Sequence, residues 1–423
     1  MSTLKVNKLR DTAGSTDAIT LDPNGGAVLA GVTTVTSVKV GAAVTISESG
    51  IEASGIGITC ANINGTQIGG RRNLIINGAM QVAQRATSDT STNGVGTVDR
   101  FGVIRSGVDE NPTQAQVDVA SGTTPYSLGF RKAFKLTNGN QTGGTGATDY
   151  ISMRYKFEAQ DIANSGWNYT SATSFVTLSF WVKSSVAQNF YGYFYVHDGT
   201  AQSLAFETGS LTADTWTKVV LKIPGNSNLQ FDNDNDNGLD MYISQFWGTD
   251  RTDSGKSLNT WAAYSGTSRT PDFTSTWYTT DNATFELTGV QFEVGSQATV
   301  FEHRRFGEEL LLCQRYYVEM GGGNYGDYTY QTGYMFNNGN SLAFGLYLPC
   351  AMRATPTIAI TGNLNVRESG NTVAANSPAI GGYDTNSNWI ACSIGMVSDM
   401  GSNGDPATLT NTNNAGITLD AEL

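Results

Sequence analysis

Apolar residues in this chain recur at every second position, and that period limits the folds open to it. Ile151, Met153, Tyr155 and Phe157 alternate with Ser152, Arg154 and Lys156. Val176, Leu178, Phe180 and Val182 alternate with Thr177, Ser179 and Trp181, and Val219, Leu221 and Ile223 with Val220 and Lys222. Phe285 and Leu287 fall on one phase and Val290, Phe292 and Val294 on the other, so a bulge is expected at Gly289. A period of two sends alternate side chains to opposite faces of a strand, and one apolar face must be covered by another layer. With Asn-Gly turn signals at Asn77, Asn93, Asn138 and Asn237, the pattern predicts antiparallel sheets packed face to face across residues 71–306.

The first seventy residues differ. No aromatic residue precedes Phe101, and from Gly31 to Gly70 short β-branched runs (Val32, Val35, Val38, Val40, Val44, Ile46, Ile51, Ile56, Ile58, Ile63, Ile68) are punctuated by glycine. Such runs favour strands, yet one copy of this composition buries too little area to fold alone. Three copies around one axis would bury it, which predicts a trimeric stalk over residues 31–70. A flexible Gly/Ser/Thr-rich leader is the alternative reading of the same stretch.

One helical segment stands apart at Gly307–Glu319. Glu308 and Glu309 open it, Leu310, Leu311 and Cys313 form its stripe, Arg315 follows, and Gly321-Gly322-Gly323 are placed to stop it. It predicts a connector to a last region, residues 320–423. There Leu342, Phe344, Leu346 and Leu348 alternate, as do Ile390, Cys392, Ile394 and Met396, with Ile358 and Ile360 between them. That region has the size of a second small β-sandwich.

Charged residues are only 15% of the chain, 49 residues are glycine, and the net charge is −12. A neutral, hydrogen-bonding surface suits sugars or proteins, whereas the negative charge disfavours nucleic acid. No apolar run approaches membrane-spanning length, and Met1–Arg10 lacks the apolar stretch of a signal peptide. Cys60, Cys313, Cys350 and Cys392 lie far apart, which predicts buried free thiols rather than a zinc site.

Several segments resemble fibre and appendage proteins of marine phages, those of cyanophages and related bacteriophages in particular. Thr3-Leu4-Lys5-Val6-Asn7-Lys8-Leu9 with Asp11-Thr12-Ala13-Gly14 is similar to their usual opening. Asn73-Leu74-Ile75-Ile76-Asn77-Gly78-Ala79-Met80, with Arg85 and Asp99-Arg100-Phe101, looks like the start of their carbohydrate-module-like sandwich. Thr288-Gly289-Val290-Gln291-Phe292-Glu293-Val294-Gly295, Ala298-Thr299 and Phe301-Glu302-His303-Arg304 look like its end. Glu308-Glu309-Leu310 and Cys313-Gln314-Arg315-Tyr316-Tyr317 resemble the helix that follows, and Pro349 with Met352-Arg353-Ala354-Thr355-Pro356-Thr357 a segment of their C-terminal domain. The resemblance implies a virion component, made in the host cytoplasm, that attaches at one end through residues 1–30, with Leu4, Val6 and Leu9 as attachment residues, and presents β domains at the other. It leaves open whether the fibre sits on tail or capsid.

Catalytic constellations are sparse. His197 and His303 are the two histidines and no G-x-S-x-G elbow accompanies them, so no enzyme activity is expected; His303 reads as a packing or inter-domain residue. Asp232, Asp234 and Asp236 alternate as calcium-loop ligands do, but in the Asp232 frame the glycine comes one place late, and in the Asn233 frame Gly238 fits while the ligand places hold only Asn and Ser244 stands where a bidentate Glu belongs. A solvated turn and a structural Ca2+ site are both open, and no other cofactor is implied. In Phe190–Val196 the pattern sends Phe190, Phe194 and Val196 inward and Tyr191, Tyr193 and Tyr195 outward, a platform for glycan or for a neighbouring protomer. In the last region Tyr325, Tyr328, Tyr330, Tyr383 and Trp389 are the aromatic candidates for receptor contact. The expectation is an all-β protein: a jelly-roll-like sandwich between a trimeric stalk and a second sandwich, a homotrimeric fibre subunit bound to other virion proteins and to a host-cell glycan. A purely structural decoration of the particle and a free carbohydrate-binding module are the competing classes.

Overall fold

The computed structural model describes residues 72–321 and 328–423, together with six short strands before them. The chain divides into two compact units, Met1–Ala61 and Asn62–Leu423. In the first, β1 (Lys8–Arg10), β2 (Asp17–Leu21) and β3 (Ala27–Leu29) form one antiparallel meander, and β4 (Ser37–Val40), β5 (Val44–Ser47) and β6 (Gly50–Ala53) another. The valine- and isoleucine-rich run therefore does make strands; Leu9 lies in β1, while Leu4, Val6 and Cys60 fall outside the described residues.

The second unit begins with a two-sheet sandwich. Its strands are β7 (Ser88–Asp89), β8 (Phe101–Ser106), β9 (Thr113–Asp118), β10 (Lys132–Thr137), β11 (Tyr150–Glu158), β12 (Phe175–Ser184), β13 (Asn189–Val196), β14 (Gln202–Ser210), β15 (Thr217–Pro224), β16 (Asn237–Trp247), β17 (Trp261–Ala263) and β18 (Thr284–Val294). One sheet runs β15-β12-β18-β10-β9-β7 and the other β17-β14-β13-β16-β11-β8, with every strand pairing antiparallel. The alternating residues make the core: Met153, Tyr155 and Phe157 meet Leu178, Phe180, Phe285 and Phe292 there. Gly289 is the bulge that its phase switch predicts. It takes φ +62°, and the register against β12 slips between Ser179 and Trp181. The Phe130 ring would lie 2.6 Å from any Cβ at this position.

The Asn-Gly pairs fold differently from the tight hairpin turns expected. Asn77 has φ 62°, and its amide is buried, donating to the carbonyls of Val82 and Asp99. Asn237-Gly238 opens β16, and Asn138 follows β10 with its amide on the Trp277, Tyr278 and Thr280 carbonyls. These asparagines pin crossing segments together, a task for which a short side chain with both donor and acceptor suits.

Three short helices, α1 (Thr124–Ser127), α2 (Ala159–Ala163) and α3 (Thr276–Thr279), precede the connector α4 (Phe306–Gln314). The connector stops sooner than its sequence predicts, because Tyr317, Val318 and Glu319 belong to β19 (Tyr317–Gly321). Pairing with the last strand and burial of Val318 in the C-terminal core outweigh helix propensity there.

The C-terminal region is a single antiparallel sheet of β19, β20 (Tyr328–Phe336), β21 (Ser341–Tyr347), β22 (Thr357–Glu368), β23 (Asn371–Tyr383), β24 (Trp389–Met396) and β25 (Pro406–Asp420). Its order is β19-β25-β20-β21-β24-β23-β22, and β22 also pairs with β25 from Thr357↔Asp420 to Arg367↔Thr408. The sheet thus closes on itself around Leu342, Phe344, Leu346, Ile390, Cys392, Ile394 and Leu409.

Candidate functional site

The three tyrosines of β13 do point away from the core, as their alternation predicts, yet they are not open. Residues 248–275 fold back across this face. Tyr193 is 2% exposed and stacks on Tyr242 at 4.4 Å, while Trp247 is 1% exposed and stacks on Tyr150 at 4.4 Å. Arg269 lies 4.7 Å from the Trp247 ring and Arg251 5.0 Å from the Tyr150 ring, so the covering segment brings cations to the aromatic faces. Phe273 meets Tyr191 edge-on at 5.2 Å, and Tyr264 lies 4.2 Å from Tyr195. Burial pushes the Tyr193 and Tyr242 hydroxyls up, and Asp240, which accepts the Tyr242 hydroxyl at 2.7 Å, pushes Tyr242 further. His197 pairs with the same Asp240 at 3.2 Å. His303 packs as expected, between Phe130 and Phe301, with Nε2 2.9 Å from the Leu128 carbonyl.

The aspartate loop serves local structure. The Asp198 carboxylate accepts the Asp232 amide N–H, Asp234 that of Asp236, and the backbone carbonyls of Asp234 and Asp236 receive the first amides of α2. Among the described residues no three His, Cys, Asp or Glu side chains come together as a metal site.

In the C-terminal region Tyr325 lies outside the described residues, as do the side chains of Tyr328 and Tyr330 in β20. Tyr383 is half-buried, with its hydroxyl between the backbone N–H and C=O of Met352. Trp389 is different: it is 44% exposed and stands directly across from Tyr347, which is 77% exposed. Its indole lies against Gly345, where a Cβ would come within 2.5 Å of Nε1. Ala343, Gly345, Ala391 and Ser393 share this outward face, and Tyr334, 58% exposed, stands across from Ala343. Four residues at ~3.4 Å each put the two aromatic ends about 14 Å apart along the strand. The result is a shallow strip of small residues with an aromatic ring at either end. Tyr347 and Tyr334 were missed by sequence reasoning, although the inward phase of Leu342, Phe344 and Leu346 already assigns Tyr347 outward.

The closed sheet that carries this strip is joined to the sandwich through polar contacts. Glu158, fully buried at the end of β11, receives both Nε and Nη2 of Arg315 at 2.7 Å and the Tyr316 hydroxyl at 2.5 Å. Burial alone would raise the Glu158 carboxyl, but these hydrogen bonds outweigh it and hold it below the usual carboxylate range. Arg100 is stacked 3.4 Å from the Tyr316 ring and pairs with Glu422; Arg85 sits 3.8 Å over Tyr317 and pairs with Asp420 at 3.0 Å. Glu309 accepts the Asn77 backbone N–H and pairs with Arg304, which also donates to the Ile75 carbonyl. Arg353 spans from the Asn235 carbonyl to that of Ala421. Asn77, Arg85, Arg100, Arg304, Glu309, Arg315, Tyr316, Tyr317 and Arg353 thus converge on one polar junction between sandwich, connector and closed sheet.

No protein-family model and no curated protein matches the sequence. Among solved structures the chain is similar to the enzymatically active domain of tailspike protein 4 of bacteriophage CBA120, at 10% identity and TM-score 0.27, over 52% of this chain and 21% of that one. It is also similar to the CBM22-1–GH10 modules of Clostridium thermocellum xylanase 10B complexed with xylohexaose, at 12% identity and TM-score 0.25, over 52% of this chain and 30% of that one. A family 11 carbohydrate-binding module from Clostridium thermocellum, in complex with a mixed-linked tetrasaccharide, matches at 11% identity and TM-score 0.23, over 51% of this chain and 98% of the module.

Proposed function

We propose that the chain is a non-catalytic adhesion subunit of a phage particle, a homotrimeric fibre joined to other virion proteins by its N-terminal segment and contacting a host-surface glycan through its C-terminal sheet. The observation that carries the glycan contact is the outward Tyr347–Trp389 pair, 77% and 44% exposed, facing solvent across a floor of glycine, alanine and serine. Aromatic rings offer apolar faces to the C–H side of a sugar while their polar tips stay hydrated. The Tyr191, Tyr193 and Tyr195 face is satisfied by the chain's own residues, which leaves the closed sheet as the better platform. Three copies per fibre raise the strength of a weak site by avidity, about 10²–10⁴ for a linked pair.

Binding of the full-length chain to intact host cells, and to cells stripped of surface glycan, tests this reading. Wild type should bind intact cells only, and Tyr347→Ala/Trp389→Ala should lose that binding at unchanged melting temperature. Equal binding by the double variant would refute the site. Light scattering should give three times the chain mass, and a monomer would refute the fibre.

A further inference from the structure

A second site lies apart from the aromatic strip, where the outer face of β11 meets residues 420–423. A cavity of about 280 Å³ opens there, lined by Arg85, Arg100, Arg154, Lys156, Asp420 and Glu422. Two of its cations already have acid partners: Arg85 pairs with Asp420, and Arg100 with Glu422. The other two do not. Arg154 and Lys156 project from the same face of β11, two residues apart, and Lys156 donates to the Leu423 carbonyl. The Arg154 side chain, half-buried, has no hydrogen bond or ion pair among the described residues. Burial first, and then the adjacent Arg154 charge, depress the Lys156 ammonium below its ordinary range. Among the described lining cations, Arg154 is therefore the one whose side chain is left without a partner.

The same cavity also holds two carboxylates. Glu422 Oε1 is buried and accepts no hydrogen bond, with Arg85 Nη2 3.6 Å away, and Asp420 lines the same cavity. Carboxylate oxygens accept from hydroxyl donors and repel a second anion. A ligand that satisfies both kinds of group carries an anionic group and hydroxyls. The volume is below that of drug-sized sites, about 300–1,000 Å³, and suits one ring.

We propose that this cavity binds an acidic sugar residue of the uronic acid type, its carboxylate held by Arg154 and Lys156 and its hydroxyls donating to Glu422 and Asp420. Inorganic phosphate would meet the cations but gain little from the two carboxylates.

Calorimetric titration of the full-length chain with glucuronate, glucose and inorganic phosphate tests the assignment. Glucuronate should bind saturably and more weakly as salt rises, with glucose and phosphate both weaker. Arg154→Gln should reduce glucuronate affinity about 10- to 100-fold, the loss of one charge-assisted hydrogen bond, without lowering the melting temperature. Arg154→Lys, which keeps the charge, should retain most of it. Trp389→Ala should leave glucuronate binding unchanged, which separates this site from the aromatic strip. No saturable binding by wild type, affinity unaltered in Arg154→Gln, or phosphate binding as tightly as glucuronate would each overturn the proposal.

Discussion

Arg315→Gln removes the bidentate partner of a carboxylate that has no exposed surface. Glu158 would keep only the Tyr316 hydroxyl and the Gln160 amide as donors, and a buried charge stripped of its ion partner costs about 3–5 kcal/mol. The pH dependence follows from the depressed Glu158 pKa: its contribution is complete above the unfolded-state value and disappears as pH falls through the folded-state value. Urea unfolding followed by tryptophan fluorescence should therefore separate variant from wild type by that amount at neutral pH, and the gap should narrow in acid. Glu158→Gln combined with Arg315→Gln should cost less than the sum of the two, with a coupling of about 0.5–3 kcal/mol. A neutral-pH difference within about 0.5 kcal/mol, as for an ordinary surface substitution, or a gap that does not change with pH, would refute the claim that this pair locks the connector to the sandwich.

Gly289→Ala should lower stability by about 1–3 kcal/mol in the same assay, since the position has φ +62° and the Phe130 ring occupies the Cβ space; wild-type stability would show that the bulge is dispensable. Gly345→Val should displace the Trp389 indole, 2.5 Å from the added Cβ, and weaken host-cell binding while leaving the fold intact; undiminished binding would remove Trp389 from the contact. Cys313 and Cys392 are buried, and burial pushes the Cys392 thiol up to about 12. Mass spectrometry should find both unmodified after iodoacetamide treatment of the native chain and alkylated only after unfolding, and rapid native alkylation would contradict their burial.

Strand alternation was the most legible part of the sequence because it reports a local rule: Met153, Tyr155 and Phe157 face inward in any sandwich that buries β11. The bulge at Gly289 was legible for the same reason, since a phase change requires an extra residue. What was hidden depends on residues distant in sequence. Nothing in the Gly/Ser/Thr-rich stretch after Trp247 reveals that it folds back over β13, although Arg251 and Arg269 near several aromatics were a usable hint of cation–π cover. The junction was hidden more deeply. Glu158 ends a strand and Arg315 follows a helix 157 positions later, and only the tertiary fold makes them neighbours. The connector helix was read too long because Tyr316, Tyr317 and Val318 are placed by their partners in β25 and the sandwich, not by their own propensity.

The place of β25 in the closed sheet also dictates an order of assembly. It pairs with β19, β20 and β22, and the residues just after it supply Asp420 and Glu422 to Arg85 and Arg100. On the ribosome the sandwich can settle as it emerges, but neither ring closure nor the seating of those arginines can occur until the segment from Pro406 onward has left the exit tunnel. A prematurely terminated chain would expose Leu364, Val366 and Ile390, along with unpaired strand edges, to chaperones and proteases.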